Sequence, residues 1–255
     1  MDSPVPIEAT SSARRWTRKH WLLAGLGVAL IVALVLSTDR YAYLIEAYWP
    51  GVQAETFEHY DKLAMERASA AAGAAKVEEH SGEWSDYRGP ARQGRSAETQ
   101  LLDKWPDKGP PERYRQSVGG GHAAFVIAQG RACTIEQRHK EEVVACYGLT
   151  DGKELWTHRY PAFFSEKLGG DGPRATPVIQ GGVLYSLGAE GRLCALNLTD
   201  GSVRWESNVL DDTGTDNLDW ALSGSPLLVD GLLIANGSGL DGPGVVAYDK
   251  ASGAI

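Results

Sequence analysis

Four polar residues stand at matching places in this chain. His122, Arg174 and Ser223 each lie three residues before a Phe or Pro (Phe125, Pro177, Pro226) that opens an apolar run, and Asp171 lies just ahead of Arg174. The glycine stretches Gly119-Gly120-Gly121 and Gly169-Gly170-Asp171-Gly172-Pro173 precede the first two and permit close backbone approach. An imidazole, a carboxylate and a guanidinium gathered at such loops would bind a small polar ligand or a partner protein. Loops that merely pack and hold water are the alternative.

Other chemistries find little support. Asp211, Asp212, Asp216 and Asp219 precede Trp220, but the EF-hand order is absent, so a solvated loop is expected and no metal site is assigned. None of the 6 histidines shows H-E-x-x-H spacing, and neither a G-x-S-x-G elbow nor a P-loop occurs, so no catalytic residue is assigned. Cys133, Cys146 and Cys194, without a C-x-x-C, rule out a thiol-redox motif and a cysteine zinc site. If a hairpin turns at His139-Lys140, Cys133 and Cys146 face one another. A disulfide suits an oxidising compartment, but Cys146 also fills a small-residue position, and the reading favours two buried free thiols.

The elements that must carry these residues repeat. CYGLTDGKELW (Cys146 to Trp156) matches ALNLTDGSVRW (Ala195 to Trp205), with both glycines (Gly152, Gly201) and both tryptophans (Trp156, Trp205) 49 residues apart. A third copy begins at Ala247 and places Gly253 52 residues after Gly201. Upstream, Ala124-Phe125-Val126-Ile127, Thr176-Pro177-Val178-Ile179 and Ser225-Pro226-Leu227-Leu228 each lead to a glycine turn and a second apolar strand. Four short antiparallel strands per unit of roughly 50 residues is the pattern of a β-propeller blade. The expected class is therefore all-β, with blades at about 114–158, 174–207 and 223–255 of a propeller region 83–255. The small residues Cys146, Ala195 and Ala247 would leave room for a neighbouring blade's tryptophan. The glycines Gly152, Gly201 and Gly253 would supply the turn, and Trp156 and Trp205 would be buried between blades.

At these residues the chain resembles the pyrroloquinoline-quinone (PQQ)-like repeat β-propellers, whose docking motif is A-x-D-x-x-T-G-x-x-x-W. Ala195, Ala247 and Asp249 match; Cys146, Gly148, Asn197, Asp151, Asp200 and Ser252 depart. WSDYRGPARQGRS (Trp84 to Ser96) looks like the W-x-x-x-R-G-P-x-x-x-G opening of many such bacterial propellers. The resemblance implies a ring of seven or eight blades needing about 350–400 residues, so three blades imply a truncated ring. It also implies one of two functions: a non-catalytic scaffold, as in outer-membrane-protein assembly, or a periplasmic dehydrogenase using PQQ and calcium. Those dehydrogenases sandwich the quinone between a tryptophan and a disulfide of adjacent cysteines, and bind calcium through Glu, Asn and Asp. Here no cysteines are adjacent, so neither cofactor is expected.

Ahead of the repeats, Trp21 to Ser37 is 17 residues without a charge. At 1.5 Å per residue this reaches about 26 Å, enough for a membrane helix at its short limit. Arg14, Arg15, Arg18 and Lys19 precede it, placing residues 1–20 in the cytoplasm as a basic tail and the propeller outside, in the periplasm. A cleaved signal peptide is the competing reading. Residues 38–82 read as a juxtamembrane stalk, with Phe57, Tyr60, Leu63 and Ala64 on a helical period and Arg67 to Lys76 serving as spacer. Net charge is −8 overall and −10 once the first 20 residues are set aside, which argues against nucleic acid as a partner. The expectation is a membrane-anchored periplasmic propeller acting as a binding or assembly scaffold for envelope proteins, the alternative a membrane-tethered quinoprotein dehydrogenase for alcohols or sugars.

Overall fold

The computed structural model describes residues 58–70, 83–96, 104–238 and 242–255. Strands dominate because short β-branched and aliphatic runs alternate with tight glycine turns. The first sheet comprises β1 (Val126–Ala128), β2 (Arg131–Arg138), β3 (Glu141–Gly148) and β4 (Glu154–Pro161), paired antiparallel in chain order. A small hairpin, β5 (Ser165–Glu166) and β6 (Gly170–Asp171), leads to the second sheet. That sheet is β7 (Val178–Gln180), β8 (Val183–Leu187), β9 (Arg192–Asn197) and β10 (Val203–Asn208), again a four-stranded meander. The third holds β11 (Leu227–Val229), β12 (Leu232–Asn236) and β13 (Val245–Asp249). Successive antiparallel meanders of this kind are consistent with a partial β-propeller. Only the third sheet departs from the expected four strands, showing three among the described residues.

Period-two alternation explains how the second sheet holds its neighbours. Along β9, Cys194 and Leu196 enter one core with Val126, Ile135, Val144 and Trp156 of the first sheet. Leu193 and Ala195 point the other way, into a core with Leu222, Leu233, Val246 and Tyr248 beside the third. Successive side chains face opposite sides of a strand, so a strand buried on both faces reads as an unbroken apolar run.

Two short helices complete the description. The first, α1 (Glu58–Ala70), falls inside the expected helical segment, and α2 (Val209–Thr213) follows β10. Asn208 caps α2 by accepting from the amides of Leu210 and Asp211, and Gly214 closes it in the left-handed conformation. The stretch expected to be a plain spacer does more than separate. Arg67 of α1 donates to the Ser117 carbonyl at 2.5 Å and to the Tyr147 hydroxyl at 2.9 Å, and its guanidinium lies 4.9 Å from the Tyr147 ring centroid. Tyr147 joins Glu136, Arg138 and Glu154 in a hydrogen-bonded ion cluster on the same side of the sheet. Among the described residues no helix is long and apolar enough to cross a membrane. The apolar run 21–37, the basic tail before it and most of the expected stalk lie outside those residues.

Candidate functional site

The turns of the three sheets share one hydrogen-bond frame. Leu149, Leu198 and Lys250 donate their amides to Gly130, Gly182 and Gly231 at 3.0, 3.0 and 2.9 Å. Three residues on, Gly152, Gly201 and Gly253 adopt φ of 68°, 74° and 75°, a left-handed backbone that other residues reach at a cost. An aromatic ring from an earlier part of the chain lies on each glycine. A Cβ on Gly201 would meet the Trp156 ring at 2.4 Å, and one on Gly253 would meet Trp205 at 2.7 Å. The indole N–H groups then bond the Leu198 and Lys250 carbonyls at 2.9 and 3.0 Å.

The small residue does a different job from the one read in the sequence. Cys146 and Ala195 stand opposite Trp156 and Trp205 on the adjacent strand of the same sheet, each beside a register shift. The neighbouring sheet receives each ring on its glycine instead. Ala247 pairs with Ile234. On the first sheet Tyr114 takes the ring's place: its aromatic carbons would lie 2.4 Å from a Cβ on Gly152, and its hydroxyl bonds Leu149 O at 3.0 Å. The surrounding segment, Glu112 to Val118, belongs to no sheet.

Three of the four candidate ligand residues come together around the β5–β6 hairpin. His122 Nε2 lies 2.6 Å from Gly169 O, and the His122 amide bonds Pro173 O at 2.8 Å. Arg174 donates to the carbonyls of Gly170, at 2.9 Å, and Gly172, and its guanidinium sits 4.6 Å from the Phe164 ring centroid. Partial burial lowers its pKa, against the opposing pull of Glu166, Asp171 and Glu142. Asp171 accepts from the Tyr60 hydroxyl of α1 at 3.0 Å, and burial chiefly, with this carboxylate, pushes the phenol upward. Ser223 is exposed ahead of the third sheet. At the hairpin tip the large apolar side chain of Leu168 is 84% exposed.

Two features had no signal in the repeats. Trp84 exchanges backbone hydrogen bonds with Ile127 at 2.8 and 2.9 Å, Ser85 O accepts from Ile179, and Arg92 reaches Pro226 O at 3.0 Å. The segment 84–92 therefore touches the first strand of the first two sheets and the approach to the third. The opening motif was visible in the sequence, but not its path. Glu142, fully buried, bridges two sheets by accepting from Tyr160 OH at 2.7 Å and the Ala189 amide at 2.8 Å. Burial pushes its carboxyl above the usual range despite these bonds.

The expectation of free thiols at Cys133 and Cys146 is corrected. These directly paired residues of β2 and β3 form a disulfide, their Cα atoms 4.1 Å apart, because cross-strand register brings the Cβ atoms together. The acidic residues before Trp220 are drawn into α2 and its surroundings; Asp212 accepts from Ser207 and, at 2.8 Å, from Tyr248.

Among the described residues, the disulfide and the two docked tryptophans are committed to packing. The disulfide joins two strands across a hairpin and is wholly buried in the core between the first two sheets. Trp156 and Trp205 are already packed on glycines, with both indole nitrogens bonded.

Residues 94–255 match the family model described as "Outer membrane protein assembly factor BamB". No curated protein matches the chain. Among solved structures, BamB from Moraxella catarrhalis is 18% identical at a TM-score of 0.39, covering 55% of this chain and 37% of its own. A europium-containing methanol dehydrogenase is 15% identical at 0.37, with 54% and 24% covered. The quinohemoprotein alcohol dehydrogenase from Comamonas testosteroni is 20% identical at 0.39, with 54% and 20% covered. The chain thus spans well under half the length of each of these structures. With its repeated turns and the match over most of its length, the chain belongs to the PQQ-repeat family described as outer membrane protein assembly factor BamB.

Proposed function

We propose that this protein is a non-catalytic scaffold that binds other envelope proteins through the face carrying the β5–β6 hairpin. The observation that carries the reading is how the polar groups there are used. His122 and Arg174 spend their side chains on the hairpin's own carbonyls, and Asp171 spends its carboxylate on Tyr60. Groups committed in this way stiffen a loop rather than attack or protonate a substrate. What the stiffened loop presents is Leu168, an apolar anchor of the kind that contributes to protein contacts when a partner covers it. The family description points the same way, toward outer-membrane-protein assembly.

The sequence supports the rest of the arrangement: an anchor at 21–37, the amino terminus in the cytoplasm and the sheets outside, without PQQ or calcium. Co-purification of the full-length protein with outer-membrane assembly components from detergent-solubilised envelopes tests the reading. Leu168→Asp should abolish that association while leaving the circular dichroism unchanged, and intact association would refute the surface. Adding PQQ and calcium and following dye reduction with alcohols or sugars tests the alternative. Stoichiometric quinone uptake with substrate-dependent turnover would replace the scaffold by a dehydrogenase.

A further inference from the structure

Three side chains from two sheets converge. His158 stands on β4 of the first sheet, Cys194 on β9 and Glu206 on β10 of the second. Cys194 and Glu206 are direct cross-strand partners. His158 Nε2 lies 3.0 Å from Glu206 Oε1 and 3.9 Å from Cys194 Sγ, and that sulfur lies 4.0 Å from Glu206 Oε1. A nitrogen, a sulfur and an oxygen donor therefore form one compact triangle.

Its dimensions resemble those of a metal site. Zinc bonds of about 2.0 Å to N and O and about 2.3 Å to S, at tetrahedral angles, separate the donors by about 3.3 Å for N···O and about 3.5 Å for contacts to sulfur. Each edge of the observed triangle lies within about 0.5 Å of those separations, a difference that small side-chain rotations absorb. Charge balance also suits a divalent ion, since one thiolate and one carboxylate neutralise it in a partly buried place. Arg192 is the nearby opposing charge, 3.4 Å from Glu206 Oε2. It engages the carboxylate oxygen that does not face His158, which leaves Oε1 free to ligate and fixes the carboxylate's orientation.

The surroundings supply a wall and a mouth. Cys194 is fully buried. Beside it Ser186, its cross-strand partner on β8, is also fully buried, and its hydroxyl has no hydrogen-bond partner among the described residues. The His158 and Glu206 side chains are 15% and 31% exposed, so an ion can enter and a water can complete the coordination. Thiolate with imidazole selects zinc over calcium or magnesium, which prefer oxygen donors.

We propose that His158, Cys194 and Glu206 form a zinc site that ties the first sheet to the second. Binding replaces the thiol proton, which passes to solvent, and involves no change of oxidation state. A site of this kind leaves no clustered-cysteine motif, because its ligands are 36 and 12 residues apart.

The test uses the full-length protein in detergent, purified without a histidine tag. Zinc is titrated in competition with a chromophoric chelator, and cobalt(II) serves as the spectroscopic probe. One ion should bind per chain, and cobalt should give a thiolate charge-transfer band that Cys194→Ser removes. His158→Gln and Glu206→Gln, at partly open positions, should each weaken zinc binding by at least about tenfold with unchanged circular dichroism. Zinc should raise the Tm of the parent protein and not that of Cys194→Ser. Failure to bind one equivalent, or binding of unchanged affinity in Cys194→Ser and His158→Gln, would overturn the proposal.

Discussion

Replacing Gly201 by alanine should destabilise the protein far more than the same change at Gly181. Both glycines have positive φ, 74° and 58°, so each alanine carries the left-handed penalty of about 1–2 kcal/mol. Around Gly181 a Cβ would meet nothing within 4 Å, and the cost stops there. At Gly201 the new Cβ would stand 2.4, 2.8 and 3.0 Å from three carbons of the Trp156 ring. The indole must then retreat, at about 1–3 kcal/mol for overpacking, and its hydrogen bond to Leu198 O, about 1 kcal/mol net, is lost. Gly201→Ala should therefore cost about 3–6 kcal/mol in total. Urea unfolding followed by circular dichroism, on both variants and the parent, measures the difference. Gly152→Ala should fall between the two, because its ring belongs to Tyr114, which is 38% exposed and freer to move. Equal losses at Gly201 and Gly181 would refute the argument that ring packing on glycine holds the sheets together.

Thiol titration of the unfolded, unreduced protein should find only Cys194 free, and reduction should reveal all three cysteines; three thiols without reductant would remove the disulfide. The buried Glu142 carboxyl has a raised pKa in the folded state, so no linkage operates at pH below the ordinary carboxylate range, where both states are protonated. As pH rises through that range the unfolded chain ionises first and stability falls, until the folded group ionises too. The stability of the parent minus that of Glu142→Gln, from Tm measured across pH, should therefore decrease with pH, and a rising difference would contradict the burial argument. A reporter enzyme fused after Trp84 should be active only outside the cytoplasm, and cytoplasmic activity would reverse the proposed orientation.

What the sequence determined by itself is the local, periodic part of the structure. The apolar runs, the glycine turns and the roughly fifty-residue spacing define strands and meanders, because period-two burial and left-handed turns are properties of neighbouring residues. The hairpin at His139-Lys140 and the facing of Cys133 and Cys146 follow from the same counting. Their bonding does not, since a small residue opposite a tryptophan and a half-cystine have the same local signature. The tertiary structure alone decided contacts that join distant positions. It laid residues 84–92 along three sheets, turned Asp171 toward Tyr60 rather than toward Arg174, and drew Arg67 onto Tyr147. It also set His158 beside Cys194 and Glu206. Such pairings depend on how each sheet stacks on the next, and sheet stacking is fixed by ring-on-glycine packing between elements more than forty residues apart. A linear pattern records which side chains are apolar, but not which distant backbone they will meet.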